Sequence, residues 1–168
     1  LDAEIIINVQ SDEPDIEARA LETLIKRMQA QPELKMATLA RRFSPEEDPA
    51  DPNLVKVVLD HQGYALYFSR AAIPFGRDCT GDLAPVDQYL LHLGIYAYRR
   101  DFLLTMDKLE PSALEKLEKL EQLRALAAGV RIAVDVVDYL GNGIDTPQQY
   151  AAWVLAKRAQ NPAQQENQ

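Results

Sequence analysis

Residues 89–98 read Y-L-L-H-L-G-I-Y-A-Y, a run rich in Leu, Ile and Tyr that predicts a β-strand. Upstream of it, two β-rich segments at residues 53–60 and 64–69 are joined by the turn D-H-Q-G, which predicts a β-hairpin. Downstream, residues 99–108 predict a short helix and residues 130–137 predict another strand. The middle of the chain is therefore expected to combine a hairpin with longer strands.

The amino-terminal part adds strands that alternate with helices. Residues 4–10 read E-I-I-I-N-V-Q, and such consecutive Ile and Val residues predict a strand buried on both faces, as in a parallel sheet. Residues 16–30 have helical spacing, residues 35–40 are strand-like, and a final helix is expected at about residues 146–159. Alternation of this kind, interrupted by a hairpin, predicts an α/β fold with a mixed sheet.

Residues 112–128 predict one continuous helix. Ser112 is a plausible N-cap, Glu115 occupies the capping-box position, and Gly129 follows as the carboxyl-terminal stop. The helix carries a row of polar residues with two open interpretations, a solvated face or a functional face. These residues are Glu115, Glu118, Glu121, Gln122 and Arg124.

Composition excludes several classes of protein. The chain has 168 residues and a net charge of −8, which argues against general nucleic-acid binding because that needs a surplus of Lys and Arg. One cysteine cannot form an internal disulfide or a thiolate zinc cluster, and two histidines make a zinc site unfavourable. No apolar run approaches the ~18 residues of a membrane span, and the acidic start does not resemble a signal peptide. We expect a soluble cytoplasmic protein that does not bind membranes.

Common catalytic motifs are missing from the sequence. It contains no P-loop, no G-x-S-x-G elbow and no G-x-G-x-x-G pattern. Cys79 lies in a polar loop without a visible base nearby, so a nucleophilic role is not expected for it.

Two aspartates stand out by position. Asp12 directly follows the first predicted strand, and ligands of open α/β sheets bind beyond the carboxyl ends of strands. Asp145 precedes Pro147 at the start of the final predicted helix. Each could instead be a helix cap. If both side chains reached one site, they would suit Mg²⁺, which prefers carboxylates together with water and phosphate oxygens.

Three other polar residues are ambiguous from their positions. His92 lies between two leucines in an apolar strand, where a hydrogen-bonded core histidine is the ordinary interpretation. Arg70 follows a strand end, and Arg77 lies in the loop beyond it. These arginines are either surface charges or a bidentate clamp for a carboxylate or phosphate.

Several strings resemble one known family. N-V-Q-S-D-E-P at residues 8–14 resembles the N-V-Q-G-D-E-P motif of the CMP-Kdo synthetases (3-deoxy-manno-octulosonate cytidylyltransferases). Six further strings follow in the order found in that family: M-A-T-L (36–39), V-K-V-V-L-D (55–60), G-Y-A-L-Y-F-S-R (63–70), H-L-G-I-Y-A-Y-R (92–99), L-E-K-L-E-Q-L-R (117–124) and G-I-D-T-P (143–147). The resemblance covers nearly the whole chain except its tail.

The resemblance implies an activity and a fold. The family transfers CMP from CTP to the anomeric hydroxyl of Kdo, releasing pyrophosphate and giving CMP-Kdo for lipopolysaccharide synthesis. It implies a fold of the nucleotide-diphospho-sugar transferase type, a cytoplasmic homodimer, and Mg²⁺ as the cofactor. Asp12 and Asp145 match the catalytic, metal-binding aspartates of the family. The positions that match or adjoin the Kdo site are Gln10, Arg70, Arg77, His92, Tyr96, Glu121 and Gln122.

The sequence departs from the family pattern in two places. Ser11 replaces the family glycine, and the basic loop A-R-x-x-S-x-R-L-P-G-K that grips the triphosphate of CTP is missing. We therefore expect a chain that lacks its N-terminal CTP-binding part and is inactive alone. Residues 1–160 would be the sugar- and metal-binding part, and residues 161–168 a disordered tail. The apolar residues 5–7 would leave an exposed edge.

Two alternatives remain open. The chain could be a non-catalytic paralogue that acts as an acidic-sugar-binding or dimerisation module. It could also belong to a cytidylyltransferase for another acidic sugar, such as a sialic acid or an eight-carbon amino sugar. The complete pairs His92/Tyr96 and Glu121/Gln122 argue against the second alternative.

Overall fold

The sheet and its helices lie in the residues that this computed structural model describes, which are 3–9, 17–79, 83–138, 150–151 and 154–155. In chain order the elements are β1 (Ile5–Asn8), α1 (Ala18–Ala30), β2 (Met36–Arg42), β3 (Lys56–Leu59), β4 (Ala65–Ser69), β5 (Leu90–Arg99), α2 (Arg100–Met106), α3 (Ala113–Glu118), α4 (Gln122–Ala127) and β6 (Ile132–Val136). The predicted strands, the hairpin and the two helices at 16–30 and 99–108 are therefore confirmed, with small changes in their ends.

The long strand β5 organises the sheet. The order of strands is β4-β3-β5-β2-β6, and β1 also pairs with β5. β5 is antiparallel to β1, β2 and β3, whereas β6 is parallel to β2. Strands β1, β2, β3 and β6 thus run one way and β4 and β5 the other, which confirms the predicted mixed α/β sheet.

The environment of β1 differs from the prediction. Residues Ile5, Ile6 and Ile7 are half-buried and pair with an antiparallel neighbour, β5, rather than lying fully buried in a parallel arrangement. β1 and β2 are parallel in direction, but β5 lies between them. An apolar run indicates burial without specifying which strand will be its neighbour, so this part of the prediction was wrong.

Helices cover both faces of the sheet. One face carries Met36, Phe68 and Tyr96, and it packs against Leu120 and Leu123 of the segment from α3 to α4. Helix α1 buries a separate stripe of apolar residues and contacts β1, β2 and β5. The sheet therefore lies between α1 on one side and the α2–α4 segment on the other.

The helix predicted over residues 112–128 is broken in two. Lys119 adopts a left-handed conformation with φ 55° and separates α3 from α4. A leucine every three residues drifts around a helix of 3.6 residues per turn, so one straight helix could not bury the whole row. The break leaves Leu117 81% exposed while Leu120 and Leu123 are buried.

Both predicted ends of this segment are confirmed. The Ser112 hydroxyl oxygen accepts a hydrogen bond from the Glu115 N–H at 3.0 Å, as an N-cap should. Gly129 has a φ of +76° and follows the last helical turn.

The chain divides into two compact units. The first comprises residues 1–9 and 17–139, and the second comprises residues 10–16 and 140–168. In the second unit the described residues 150–151 and 154–155 are helical, in agreement with the helix predicted at 146–159. The predicted tail at 161–168 lies outside the described residues. Across the described part of the chain, no helix has the length and apolarity needed to span a membrane.

An ion pair stabilises the end of β2. The two terminal nitrogens of Arg41 donate to both carboxylate oxygens of Glu47, at 2.7 and 2.5 Å, and the Ser44 N–H also donates to Glu47. Burial raises the pKa of Glu47, but the Arg41 guanidinium and Ser44 outweigh it and hold the pKa below its ordinary value. The ionised form of Glu47 is therefore stabilised in the folded protein.

We expect Glu47→Gln to lower the free energy of unfolding at neutral pH by about 1.5–3 kcal/mol, because a buried arginine loses its charged partner. The folded-state pKa of Glu47 lies below the 4.5 of an unperturbed glutamate. Its stabilisation is thus complete above that pH and is lost as the pH falls through the folded-state pKa. Urea unfolding at several pH values measures both effects. The exposed neighbour Glu46→Gln is the control, and equal losses in the two variants would contradict this account.

Candidate functional site

The site lies where β5 changes its neighbour along one side. On that side, Tyr96 pairs with Asn8 of β1, and Leu91 pairs with Lys56 of β3. Between these pairs, residues 93–95 have no strand partner on that side within the described part of the chain. The change of neighbour therefore falls at residues 92–95 in the middle of β5.

A bulge in β5 lies at this change of neighbour. In the pairing of β2 with β5, Ala40 lies opposite His92 and Thr38 lies opposite Tyr96. The chain therefore advances four residues along β5 over a stretch where it advances only two along β2. Gly94 has a φ of +69°, which a residue with a side chain rarely adopts. In a regular strand, residues four apart are separated by about 13 Å. Here the rings of His92 and Tyr96 lie 5.2 Å apart, centre to centre.

His92 is held as a neutral ring. Its Nε2 lies 3.0 Å from the Thr38 hydroxyl oxygen, and the Phe68 ring packs edge-on at 5.0 Å. Burial lowers the pKa of His92 to about 3, so the imidazole is uncharged at neutral pH. His92 can therefore exchange hydrogen bonds with a ligand but cannot attract an anion by its charge.

Tyr96 and Tyr98 form the wall next to His92. Both are buried, and their ring centres are 5.8 Å apart. Burial raises the pKa of each phenol, and the Glu121 carboxylate raises both further. Both tyrosines therefore stay protonated at neutral pH.

Gln122 is the unusual residue of the site. It is only 4% exposed, and its amide Nε2 has no hydrogen-bond partner among the described residues. An unpaired buried donor costs about 1–3 kcal/mol of stability, so such groups are rare unless something else uses them. Gln122 follows Glu121 at the start of α4.

Glu118, the last residue of α3 before the break at Lys119, binds the end of β4 through hydrogen bonds. The Glu118 carboxylate accepts hydrogen bonds from the Ser69 hydroxyl at 2.6 Å and from the Arg70 N–H at 2.9 Å. The solvated-face interpretation is wrong for Glu118. It is also wrong for Glu115, which is buried and paired with Arg124 at 2.6 Å.

The Arg70 side chain makes structural hydrogen bonds of its own. Its Nε–H donates to the Glu118 carbonyl at 2.8 Å, and one terminal N–H donates to the Pro52 carbonyl at 2.7 Å. Arg77 is exposed in the loop that follows Gly76. A Cβ on Gly76 would come within 2.5 Å of the Ala84 nitrogen, so only glycine allows this loop to lie against the backbone.

Part of the predicted site lies outside the described residues, namely Gln10, Asp12, Asp145 and the neighbouring Ser11. In the described residues, no cluster of three or more His, Cys, Asp or Glu side chains could hold a metal ion. Of the predicted site residues, the structure brings His92 and Tyr96 into contact. The proposed roles of the site residues stay predictions.

Sequence reasoning missed Thr38 and Phe68, which contact His92, and it named Glu118 without predicting its contact with the end of β4. Thr38, Phe68 and Glu118 fall within the strings M-A-T-L, G-Y-A-L-Y-F-S-R and L-E-K-L-E-Q-L-R. The strings could have drawn attention to them, but no spacing rule assigns them a role.

Comparison with known proteins identifies the family of the chain. Residues 1–132 match the protein family described as cytidylyltransferase. The chain belongs to the cytidylyltransferase family. It is 46% identical over 146 residues to the 3-deoxy-manno-octulosonate cytidylyltransferase of Solibacter usitatus, and 48% identical over 151 residues to that of Geobacter sulfurreducens. These matches cover 87% and 86% of the chain but 56% and 60% of the two relatives, so the chain spans less than two thirds of their length.

The fold of the chain also matches solved structures of CTP-dependent transferases. A CMP:2-keto-3-deoxy-manno-octonic acid synthetase complexed with CTP matches with a TM-score of 0.84 and 44% identity, over 96% of the chain and 64% of that protein. The inositol-1-phosphate CTP transferase of T. maritima, at 15% identity and a TM-score of 0.59 over 98% of the chain and 58% of that protein, shares the fold alone. The predicted nucleotide-diphospho-sugar transferase type of fold is thereby confirmed.

We expect Gly94→Ala to disturb the contact between His92 and Tyr96, since a side chain at positive φ costs about 1–2 kcal/mol. Gly129→Ala is a matched control, because Gly129 has a similar φ of +76° but open space around it. Both variants should lose similar stability in urea unfolding. Only Gly94→Ala should change the near-ultraviolet circular dichroism of the tyrosines, and an equal change in both spectra would count against the bulge as the organiser of the site.

Proposed function

We propose that this chain is part of an enzyme that transfers CMP from CTP to Kdo, giving CMP-Kdo and pyrophosphate for lipopolysaccharide synthesis, and that its described residues bind the sugar. The observation that carries the proposal is the buried amide of Gln122, which has no hydrogen-bond partner among the described residues. The names of the relatives, which are Kdo cytidylyltransferases, support the choice of sugar.

Kdo suits the polar groups of this site. The sugar carries a carboxylate, which needs hydrogen-bond donors, and several hydroxyls, which need both donors and acceptors. Gln122 Nε2 is a donor, the Glu121 carboxylate is an acceptor, and the Tyr96 hydroxyl can act as either. Because His92 is uncharged, an arginine is needed to balance the sugar's negative charge.

Arg77 is the better candidate for that arginine. Arg70 already uses two of its donors on the carbonyls of Glu118 and Pro52, whereas Arg77 is exposed on a loop. A bidentate pair between a guanidinium and a carboxylate would fix the orientation of the sugar as well as bind it. The task of these residues is to hold the anomeric hydroxyl in line with the α-phosphate of CTP.

The metal site proposed here uses Asp12 and Asp145. Both residues match the metal-binding aspartates of the family that the sequence resembles. Two carboxylates are the hard oxygen ligands that Mg²⁺ prefers. When bound, Mg²⁺ would neutralise the charge of the triphosphate and lower the pKa of the attacking hydroxyl. The homodimer and the cytoplasmic location stay predictions.

A substitution at Gln122 tests the proposal. Gln122→Leu removes the unpaired amide but keeps a side chain of similar size. We expect it to stabilise the protein by about 1 kcal/mol and to weaken Kdo binding at least about ten-fold, since both follow from a buried donor that a ligand uses. Calorimetric titration of the 168-residue chain with Kdo measures affinity, and urea unfolding measures stability.

The exposed residue Gln29 on α1 provides the control, and Gln29→Leu should change neither quantity. Wild-type protein that fails to bind Kdo, or that binds a sialic acid more tightly, would overturn the assignment of the sugar. A Gln122→Leu variant that binds Kdo normally and is less stable would show that the glutamine is only structural.

A further inference from the structure

The hydroxyl of Thr38, in the buried part of the sheet, lies between the Ile95 carbonyl and the His92 ring. Thr38 is fully buried, and its Oγ1 is 2.7 Å from the Ile95 carbonyl oxygen and 3.0 Å from Nε2 of His92. A threonine hydroxyl has one hydrogen to donate and lone pairs to accept with. Both contacts are within hydrogen-bond distance, so the single hydrogen must be assigned to one of them.

The Ile95 carbonyl decides where that hydrogen points. A carbonyl oxygen can only accept, so at 2.7 Å the bond to Ile95 must use the hydrogen of Thr38. The opposite arrangement would leave two oxygen lone pairs facing each other at that distance. Ile95 also falls within the shift of register between β2 and β5, outside the regular pairs of the ladder. Oγ1 of Thr38 therefore accepts a hydrogen bond from His92, and Nε2 of His92 carries the hydrogen.

We infer that Thr38 is a positioning residue that fixes His92 in the tautomer with hydrogen on Nε2, so that Nδ1 accepts a hydrogen bond from a sugar hydroxyl. The inference deepens the proposed function, because the hydroxyl belongs to the sugar proposed above. Burial keeps the ring uncharged, with a pKa of about 3, so that Nδ1 has a free lone pair rather than a proton.

The neighbouring rings hold this orientation. Phe68 packs at an interplanar angle of 73° and Tyr96 at 51°, so the imidazole is flanked on two sides. Rotating the ring to exchange its nitrogens would break the hydrogen bond to Thr38. An acceptor at Nδ1 repels carboxylate and phosphate oxygens and selects a group that carries a hydrogen. The sugar carboxylate is thereby directed to donors such as Gln122 Nε2.

The tautomer can be measured without any ligand. In a chain labelled with ¹⁵N-histidine, long-range ¹H–¹⁵N correlation spectra distinguish hydrogen on Nε2 from hydrogen on Nδ1. His61 is exposed and is the other histidine in the sequence, so His61→Gln assigns the signals. We expect the neutral Nε2–H pattern for His92. A signal for hydrogen on Nδ1, or for a charged ring at neutral pH, would overturn the inference.

Variants of Thr38 connect the tautomer to binding. Thr38→Val keeps the shape and removes the hydroxyl, whereas Thr38→Ser keeps the hydroxyl. We expect Thr38→Val to give mixed tautomers and about ten-fold weaker Kdo binding in calorimetry, the effect of one hydrogen bond, while Thr38→Ser retains the Nε2–H signal and most of the affinity.

The outcomes separate this inference from the proposed function. Wild-type protein with the Nε2–H signal but no affinity for Kdo would contradict the proposed function while leaving the tautomer assignment intact. Equal loss of affinity in both Thr38 variants would show that packing, not the hydroxyl, matters, and would overturn the positioning role. If Thr38→Val does not fold, the wild-type spectrum and Thr38→Ser still decide the question.

Discussion

A strand in a sheet must satisfy its backbone groups on both sides, and β5 meets this requirement with different neighbours along one side. β3 ends its pairing at Leu91, and β1 begins at Tyr96. The interval between them is bridged by the left-handed Gly94, and Thr38 satisfies the carbonyl of Ile95 from within β2. The polar groups of the site are therefore a consequence of how the sheet accommodates a change of partner.

The second determinant is the break between α3 and α4. Glu118 fastens the end of α3 to the end of β4 through Ser69 and Arg70, and α4 then starts in a new direction. This change of direction leaves Glu121 exposed and Gln122 buried. A buried amide without a partner destabilises a fold, and the Gln122 amide has none among the described residues.

The electrostatic character of the site follows from burial. Buried rings stay uncharged at neutral pH, as His92 and Tyr96 do, so they can interact with a ligand through hydrogen bonds but not through charge. The neighbouring carboxylates of Glu115 and Glu118 are occupied by partners within the fold. Glu121 and Arg77, in contrast, are exposed.

Local patterns in the sequence determined the strands, the hairpin and the caps at Ser112 and Gly129, because periodicity and turn chemistry act between residues that are close in the chain. Family strings identified His92, Tyr96, Glu121 and Gln122 as a group. Only the tertiary structure decided that β5 separates β1 from β2, that Glu118 breaks the helix, and that Thr38 orients His92. Those outcomes depend on strand pairing and hydrogen bonds between residues up to 94 positions apart, as Ile5 and Arg99 are, which no local pattern encodes.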